Sequence, residues 1–124
     1  MNPIKNKKDL ETTIDEIRNF AYSYLEKYNP SKQQLKIYLL KKYLIKFSGK
    51  ETKKDISNLI DEIIINLERR KLINDELYSD SKARVLLRRG YSINKINLTL
   101  RNKGIDSIFI KKSLDKIKSG KIDP

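Results

Sequence analysis

Basic side chains are the residues of this 124-residue chain whose type and spacing could do chemistry. Between Ser81 and Ile122, twelve Lys or Arg residues are accompanied by only two acids, Asp106 and Asp115, which gives this stretch a net charge of +10. Such a density of cations attracts phosphates and acidic protein surfaces. Because the planar guanidinium of arginine suits carboxylates and phosphates alike, the pattern leaves protein and nucleic acid both open as partners.

Seven residues around two predicted turns are the candidate contacts with a partner. Arg84 and Arg88 are four residues apart on a predicted helix and share a face. For Arg84 the alternative is a local ion pair with Asp80, one turn earlier in the chain. Tyr91 lies in a turn, whereas four other tyrosines (24, 28, 38 and 78) fall on predicted core stripes. The predicted partner- or DNA-binding set is Arg84, Arg88, Arg89, Tyr91, Lys95, Arg101 and Lys103.

Catalytic and metal-binding chemistry lacks most of the side chains it needs. The chain has no cysteine and no histidine, which removes thiolates, disulfides and the commonest general base and metal ligand. Adjacent acids such as Asp61 and Glu62 point about 100° apart on a helix and make poor acid–base partners. There is no glycine-rich phosphate loop. We therefore expect no enzyme, no cofactor, no metal site and no small-molecule substrate.

Membrane association is also not indicated by the sequence. No apolar run approaches the roughly 20 residues that cross a bilayer. The first eleven residues are polar and lysine-rich, unlike a signal peptide. The absence of cysteine favours a reducing compartment. We expect a soluble, cytoplasmic protein without a membrane partner.

Helical periodicity predicts an all-α fold of about six helices. The first helix is expected to start at a capping box at Thr13 and to stop at Asn29-Pro30, which leaves residues 1–12 as a flexible arm. The second is expected from Ser31 to about Phe47, and the third from Asp55, after a polar loop.

The stretch from residue 72 to residue 105 predicts helix, tight turn, helix, tight turn. Asn74 or Asp75 is expected to cap the fourth helix, and Ser92 the fifth. Gly90 and Gly104 are expected to end these helices in the left-handed conformation. A sixth helix is predicted from about Asp106, with Phe109, Ile110, Leu114 and Ile117 inward and Lys111, Lys112, Lys116 and Lys118 outward.

An internal repeat at an offset of 61 residues predicts two tandem three-helix modules. We expect a flexible arm at 1–12, a first repeat at 13–73 and a second at 74–120. The aligned pairs are Leu25 with Leu86, Ser31 with Ser92, Leu35 with Ile96, and Leu39 with Leu100.

The second helix carries more apolar residues than one module needs. Besides its core stripe it has Ile37, Leu40, Leu44 and Phe47 at spacings of i, i+3, i+7 and i+10. Soluble monomers seldom leave such a stripe in water. We expect it to be buried against the second repeat or, failing that, against a partner or a second copy.

Three short motifs in the stretch 72–105 resemble the RecX family. They are Leu-Ile-Asn-Asp-x-x-Tyr from Leu72, Arg-Gly-Tyr from Arg89, and Lys-Ile-x-x-x-Leu-x-x-Lys-Gly-Ile from Lys95 to Ile105. Their order and spacing together carry the resemblance, which is ungapped and weakens outside the stretch.

The resemblance implies a bacterial regulatory protein that modulates the RecA recombinase in DNA repair, homologous recombination and the SOS response. It implies a row of three-helix repeats, of which the family typically has three and this chain two. It further implies binding along the RecA–DNA filament groove and inhibition of ATP hydrolysis and strand exchange. The basic surface would then contact recombinase, DNA phosphate, or both, with naked DNA bound only weakly.

A stand-alone DNA-binding module is the alternative. Residues 77–101 can be read as a helix-turn-helix whose second helix directs polar residues into the major groove. Those residues would be Asn94, Lys95, Asn97 and Arg101.

Overall fold

The structure is a computed structural model that describes residues 7–46 and 49–123. These residues form six α-helices, one short 3₁₀ helix at Leu44–Lys46 and no strand, so the predicted all-α fold is confirmed. In the described part of the chain, none of the helices has both the length and the apolar character that crossing a membrane requires. The helices are α1 (Lys7–Tyr28), α2 (Lys32–Tyr43), α3 (Lys50–Arg69), α4 (Asp75–Arg88), α5 (Ile93–Asn102) and α6 (Ser107–Lys118).

The described residues divide into two compact units. The first comprises the residues up to Pro30 and those from Gln34 to Ile73. The second comprises Ser31–Gln33 and the residues from Asn74 onward. That residues 13–73 and 74–120 are tandem repeats of one module stays a prediction.

Two of the predicted helix starts are wrong. α1 begins at Lys7, so Thr13 is inside the helix rather than at its cap. Residues 7–12 are therefore helical, and residues 1–6 lie outside the described part of the chain. α3 begins at Lys50, five residues before the predicted start at Asp55. The added segments, 7–12 and 50–54, contain no proline or glycine and are rich in lysine, which favours helix.

The core of the first unit is built from apolar residues at helical spacing. The run Ile63-Ile64-Ile65, which has strand propensity, is helical: Ile63 and Ile64 are buried, whereas Ile65 is 52% exposed. Two buried residues followed by an exposed one fit a helical period of 3.6 residues, whereas a strand would alternate at every residue. The buried core residues are Ile17, Ala21, Leu35, Leu39, Tyr43, Ile56, Leu59, Ile60, Ile63, Ile64, Leu67 and Ile73.

Part of the surplus apolar surface that we predicted for the second helix is used inside the first unit, although Leu44 belongs to the 3₁₀ helix that follows α2. Leu40 and Leu44 are partly buried and pack against the first unit's core. Ile37 is 41% exposed, and Phe47 lies outside the described residues. Tyr24 and Tyr38 also pack against this core, with ring centroids 4.1 Å apart. Tyr28, which we expected in the core, is 57% exposed, and it is the last residue of α1.

The caps predicted for the second unit are confirmed. The side chain of Asn74 accepts a hydrogen bond from the Leu77 amide at 3.1 Å. Ser92 Oγ accepts from the Lys95 amide at 3.2 Å. Asp106 also caps its helix, α6, through a carboxylate oxygen 3.1 Å from the Ile108 amide. The buried core between these helices consists of Ala83, Leu86, Ile96, Leu100, Ile105 and Ile110.

A polar network lies beside this core and joins α4 to α6. Ser79 and Ser113 are fully buried, and their hydroxyl oxygens are 2.7 Å apart. Ser113 Oγ donates to Asp80 Oδ1 at 2.7 Å, and Lys116 Nζ donates to Asp80 Oδ2 at 2.5 Å. Lys116 is therefore not one of the solvated outward lysines that the sequence predicted. Buried hydroxyls satisfied in this way fix the pairing of the two helices.

Gly104 ends α5 at a point where the backbone is crowded. Its φ is +77°, and a Cβ placed there would lie 1.7 Å from Oε1 and 2.6 Å from Cβ of Gln33. Gly90 ends α4 with a similar φ of +85°, but nothing lies within 4 Å of the corresponding position. The two glycines therefore share one backbone requirement and differ in the space around them.

We expect Gly104→Ala to destabilise the protein more than Gly90→Ala. The positive φ alone costs roughly 1–2 kcal/mol for an L residue, and the overlap with Gln33 adds about 1 kcal/mol or more of overpacking. Urea unfolding of both variants measures the difference. Equal losses of unfolding free energy would contradict the close approach of Gln33 to Gly104.

Tyr43 carries a buried hydroxyl group in the first unit. The residue is 1% exposed, and its buried hydroxyl has no hydrogen-bond partner among the described residues. Burial raises the pKa of Tyr43 to about 12, with a smaller contribution from the negative charge of Glu16. The folded protein therefore keeps this hydroxyl protonated at a pH where the unfolded chain, with a pKa near 10, ionises.

We expect Tyr43→Phe to raise the free energy of unfolding by about 1 kcal/mol at neutral pH, because an unpaired buried hydroxyl is removed. Above pH 10 the wild type should lose further stability relative to this variant, by about 1.4 kcal/mol at pH 11. The stability of both proteins measured by urea unfolding from pH 7 to 11 tests this. The control is Tyr28→Phe, which removes the hydroxyl of an exposed tyrosine. If Tyr43→Phe is less stable than wild type at every pH from 7 to 11, the Tyr43 hydroxyl is not an unpaired buried group.

Candidate functional site

The seven predicted contact residues all lie in the second unit, on α4, α5 and the turns that follow them. Arg84 and Arg88 are exposed on α4, one helical turn apart. Arg89 is the C-cap residue and is also exposed. The turn is closed by hydrogen bonds from the amides of Gly90 and Tyr91 to the carbonyls of Leu87 and Leu86, at 2.9 and 3.0 Å. Positive charge at this end of α4 is favoured by the helix dipole.

The alternative ion pair predicted for Arg84 is not formed. Asp80 is bound to Ser113 and Lys116 of α6 instead. The sequence could not show this because an acid four residues from an arginine is a local signal, and α6 competes for it from 33 to 36 residues away. The positive charge of Arg84 is therefore not neutralised by Asp80.

Tyr91 and Lys95 are brought together by the start of α5. Tyr91 is half-buried and packs against the second core. The ammonium group of Lys95 lies 4.3 Å from the centroid of the Tyr91 ring, within the range of a cation–π interaction. The ring is thus held between the core and a lysine, which leaves it less free to contact a partner than its place in a turn predicted.

Arg101 and Lys103 lie at the other end of α5. Arg101 is exposed in the last turn of the helix, and Lys103 is the half-buried C-cap residue. The Lys103 carbonyl accepts a hydrogen bond from Ser31 Oγ at 3.0 Å, and the Lys32 amide donates to Asp75 Oδ1 at 2.8 Å. These bonds hold Ser31 and Lys32 within the second unit, close to where α5 ends.

The six cations of the candidate set share one electrostatic property. Within the part of the chain that the structure describes, none of them forms a salt bridge. The acids of the second unit that do form salt bridges use lysines of α6: Glu76 with Lys112 and Asp80 with Lys116. The positive charge on α4 and α5 is therefore available to an external anion, in keeping with the prediction of a binding surface, which stays a prediction.

A groove between α5 and α6 was missed by sequence reasoning. It encloses about 550 Å³, and its lining includes Arg101 together with Ile108, Lys111 and Lys118 of α6. Of these only Arg101 was a predicted site residue. The signal was present in the spacing, since residues 108, 111, 115 and 118 share one helical face that is not the core face.

The fold and the surface together define a class: a small, basic, all-α protein whose candidate site is cationic and suited to binding an anionic partner. No family model matches the chain, and no solved structure matches it. The chain is 33% identical over 100 residues to a protein named Regulatory protein RecX from Myxococcus xanthus (strain DK1622). This alignment covers 79% of the chain and 53% of that relative.

The similarity supports assignment of this chain to the RecX family, which confirms the resemblance inferred from the motifs. The chain spans about half the length of the curated relative that it matches.

Proposed function

We propose that this protein is a RecX-like regulator that binds the filament of a RecA-like recombinase on DNA and lowers its ATP hydrolysis and strand exchange. The observation that carries the proposal is the 33% identity, over 79% of the chain, to a protein named as a RecX regulatory protein. The unpaired cations of α4 and α5 support it, since a filament on DNA offers phosphates and acidic side chains in a long regular array.

Binding alone is enough for this kind of regulation. A protein that binds one state of a filament more tightly than another shifts the filament toward that state. Charge complementarity would increase the rate of encounter and orient the docking. Contacts of Arg84, Arg88 and Arg89 with phosphates would position the protein without reading base sequence. The regulator would then be no enzyme, would act in the cytoplasm where the DNA is, and would bind naked DNA only weakly.

A helix-turn-helix DNA-binding protein is the second candidate. The short connection between α4 and α5 is the observation that supports it. The two helices are joined by the four residues from Arg89 to Ser92. Asn94, Lys95 and Arg101 are exposed on α5, whereas Asn97 is half-buried and lies in the groove toward α6. A recognition helix would therefore present three of the four polar residues that the sequence suggested.

One pair of measurements separates the two candidates. The first is recombinase ATPase activity on single-stranded DNA with and without this protein, and the second is its affinity for naked duplexes of different sequence. A regulator lowers the ATPase and binds duplexes weakly and without sequence preference. A protein that leaves the ATPase unchanged and prefers one duplex sequence would be a helix-turn-helix protein and would overturn the proposal.

We expect the double variant Arg88→Glu and Arg89→Glu to bind the filament at least about tenfold more weakly than wild type, because two attractive charges become repulsive. Co-sedimentation with the filament and ATPase inhibition measure the loss, and circular dichroism checks that the fold is intact.

The matched control is Lys53→Glu with Lys54→Glu, which makes the same change of net charge on exposed residues of α3 in the first unit. The control should keep most of the inhibition. If both pairs lose binding equally, overall charge rather than the end of α4 is responsible.

A further inference from the structure

The groove between α5 and α6 combines an apolar floor with a positively charged rim. Ile110 is buried and Leu114 is half-buried, while Ile108 is 57% exposed. Arg101, Lys111 and Lys118 line the same groove and are exposed. Asp115 is the single acid among the lining residues. The lining thus carries three cations, one anion and three branched aliphatic side chains.

The cations of the rim differ in their pairing from the neighbouring lysines of α6. Among the described residues, Arg101, Lys111 and Lys118 form no salt bridge, whereas their neighbours Lys112 and Lys116 are paired with Glu76 and Asp80. The exposed isoleucine side chain is poorly solvated by water. The cations beside it attract anions to the edge of the groove. A ligand that fills the groove should therefore be apolar in the middle and acidic at the sides.

We propose that this groove binds an acidic amphipathic segment of a partner protein, with aliphatic side chains on the floor and Asp or Glu against the rim. Grooves between helices commonly receive such segments, with anchors spaced at i, i+3 or i+4 and i+7. The inference goes beyond the regulatory role proposed above and holds whichever protein supplies the segment.

Two other occupants fit the groove less well. A nucleic acid would satisfy the cations, but the lining has no aromatic ring on which a base could stack, and phosphates would leave the isoleucine and leucine side chains unmatched. A second copy of this chain carries a net charge of +12, so its approach to a positive rim is opposed by charge. An acidic amphipathic segment matches both features, since its apolar side chains cover the aliphatic residues and its acids pair with the cations.

The test uses the whole protein and three labelled synthetic peptides in fluorescence anisotropy titrations. The first peptide is helical, with Leu at i, i+4 and i+7 and Glu at the flanking positions. The second has Gln in place of every Glu, and the third has Ser in place of every Leu. We expect the first to bind at least about tenfold more tightly than either of the others, since each lacks one of the two complementary features.

Variants of the protein then locate the binding. Ile108→Ser, and separately Lys111→Glu with Lys118→Glu, should each weaken binding of the first peptide, the charge pair by at least about tenfold. All three residues are exposed or mostly exposed, and circular dichroism verifies the fold. The control pair Lys53→Glu with Lys54→Glu should change the affinity by less than about threefold, because neither lysine lines the groove.

Three results would overturn the proposal. Equal affinity for the Glu and Gln peptides would remove the charge complementarity. Equal losses in the groove variants and the α3 control would place the binding elsewhere. Displacement of the first peptide by a single-stranded oligonucleotide, together with equal affinity for the Leu and Ser peptides, would make the groove a general polyanion surface rather than a protein-docking site.

Discussion

The buried hydroxyl and carboxylate network between α4 and α6 is the interaction on which the rest of the second unit depends. Ser79 and Ser113 are fully buried, and each would cost free energy if it lacked a partner. Asp80 satisfies Ser113 and binds Lys116, so the network can form only in one pairing of the two helices. An apolar interface would tolerate sliding of α6 along α4, whereas these short polar contacts hold one register.

This network also decides which charges remain on the surface. By binding Asp80, α6 removes the acid that Arg84 would otherwise have found one turn away. The same helix uses Lys112 against Glu76. Two acids of the second unit, Glu76 and Asp80, are thus paired with lysines of α6, whereas the arginines of α4 form no salt bridge with the described residues. Arginine is the better residue to leave unpaired at an interface, because its planar fork binds carboxylate or phosphate with two hydrogen bonds.

The two proposed binding surfaces, the end of α4 and the groove, would place two different kinds of recognition in about 40 residues. The end of α4 offers charge with little apolar area, which favours fast and weakly specific association with an anionic array. The groove between α5 and α6 offers apolar area edged by charge, which favours a defined segment of protein. Arg101 belongs to both the predicted contact set and the groove lining. The regulator proposed above would use both kinds of contact.

The sequence alone determined the helical class, the caps and turns from Asn74 to Asp106, and the family resemblance, because these depend on side chains within one or two turns of each other. It did not determine the starts of α1 and α3, where good helix-forming residues extend the helix past a plausible cap. Only the tertiary structure decided that Asp80 pairs with Lys116 rather than leaving Lys116 in solvent, and that Gln33 crowds Gly104. It also decided that α5 and α6 leave a groove between them. The first two depend on residues more than 30 positions apart, whose competition for one partner or one space has no local signal in the sequence. The groove has a signal in the spacing of α6, but only the packing of α5 beside α6 shows that this face lines a groove.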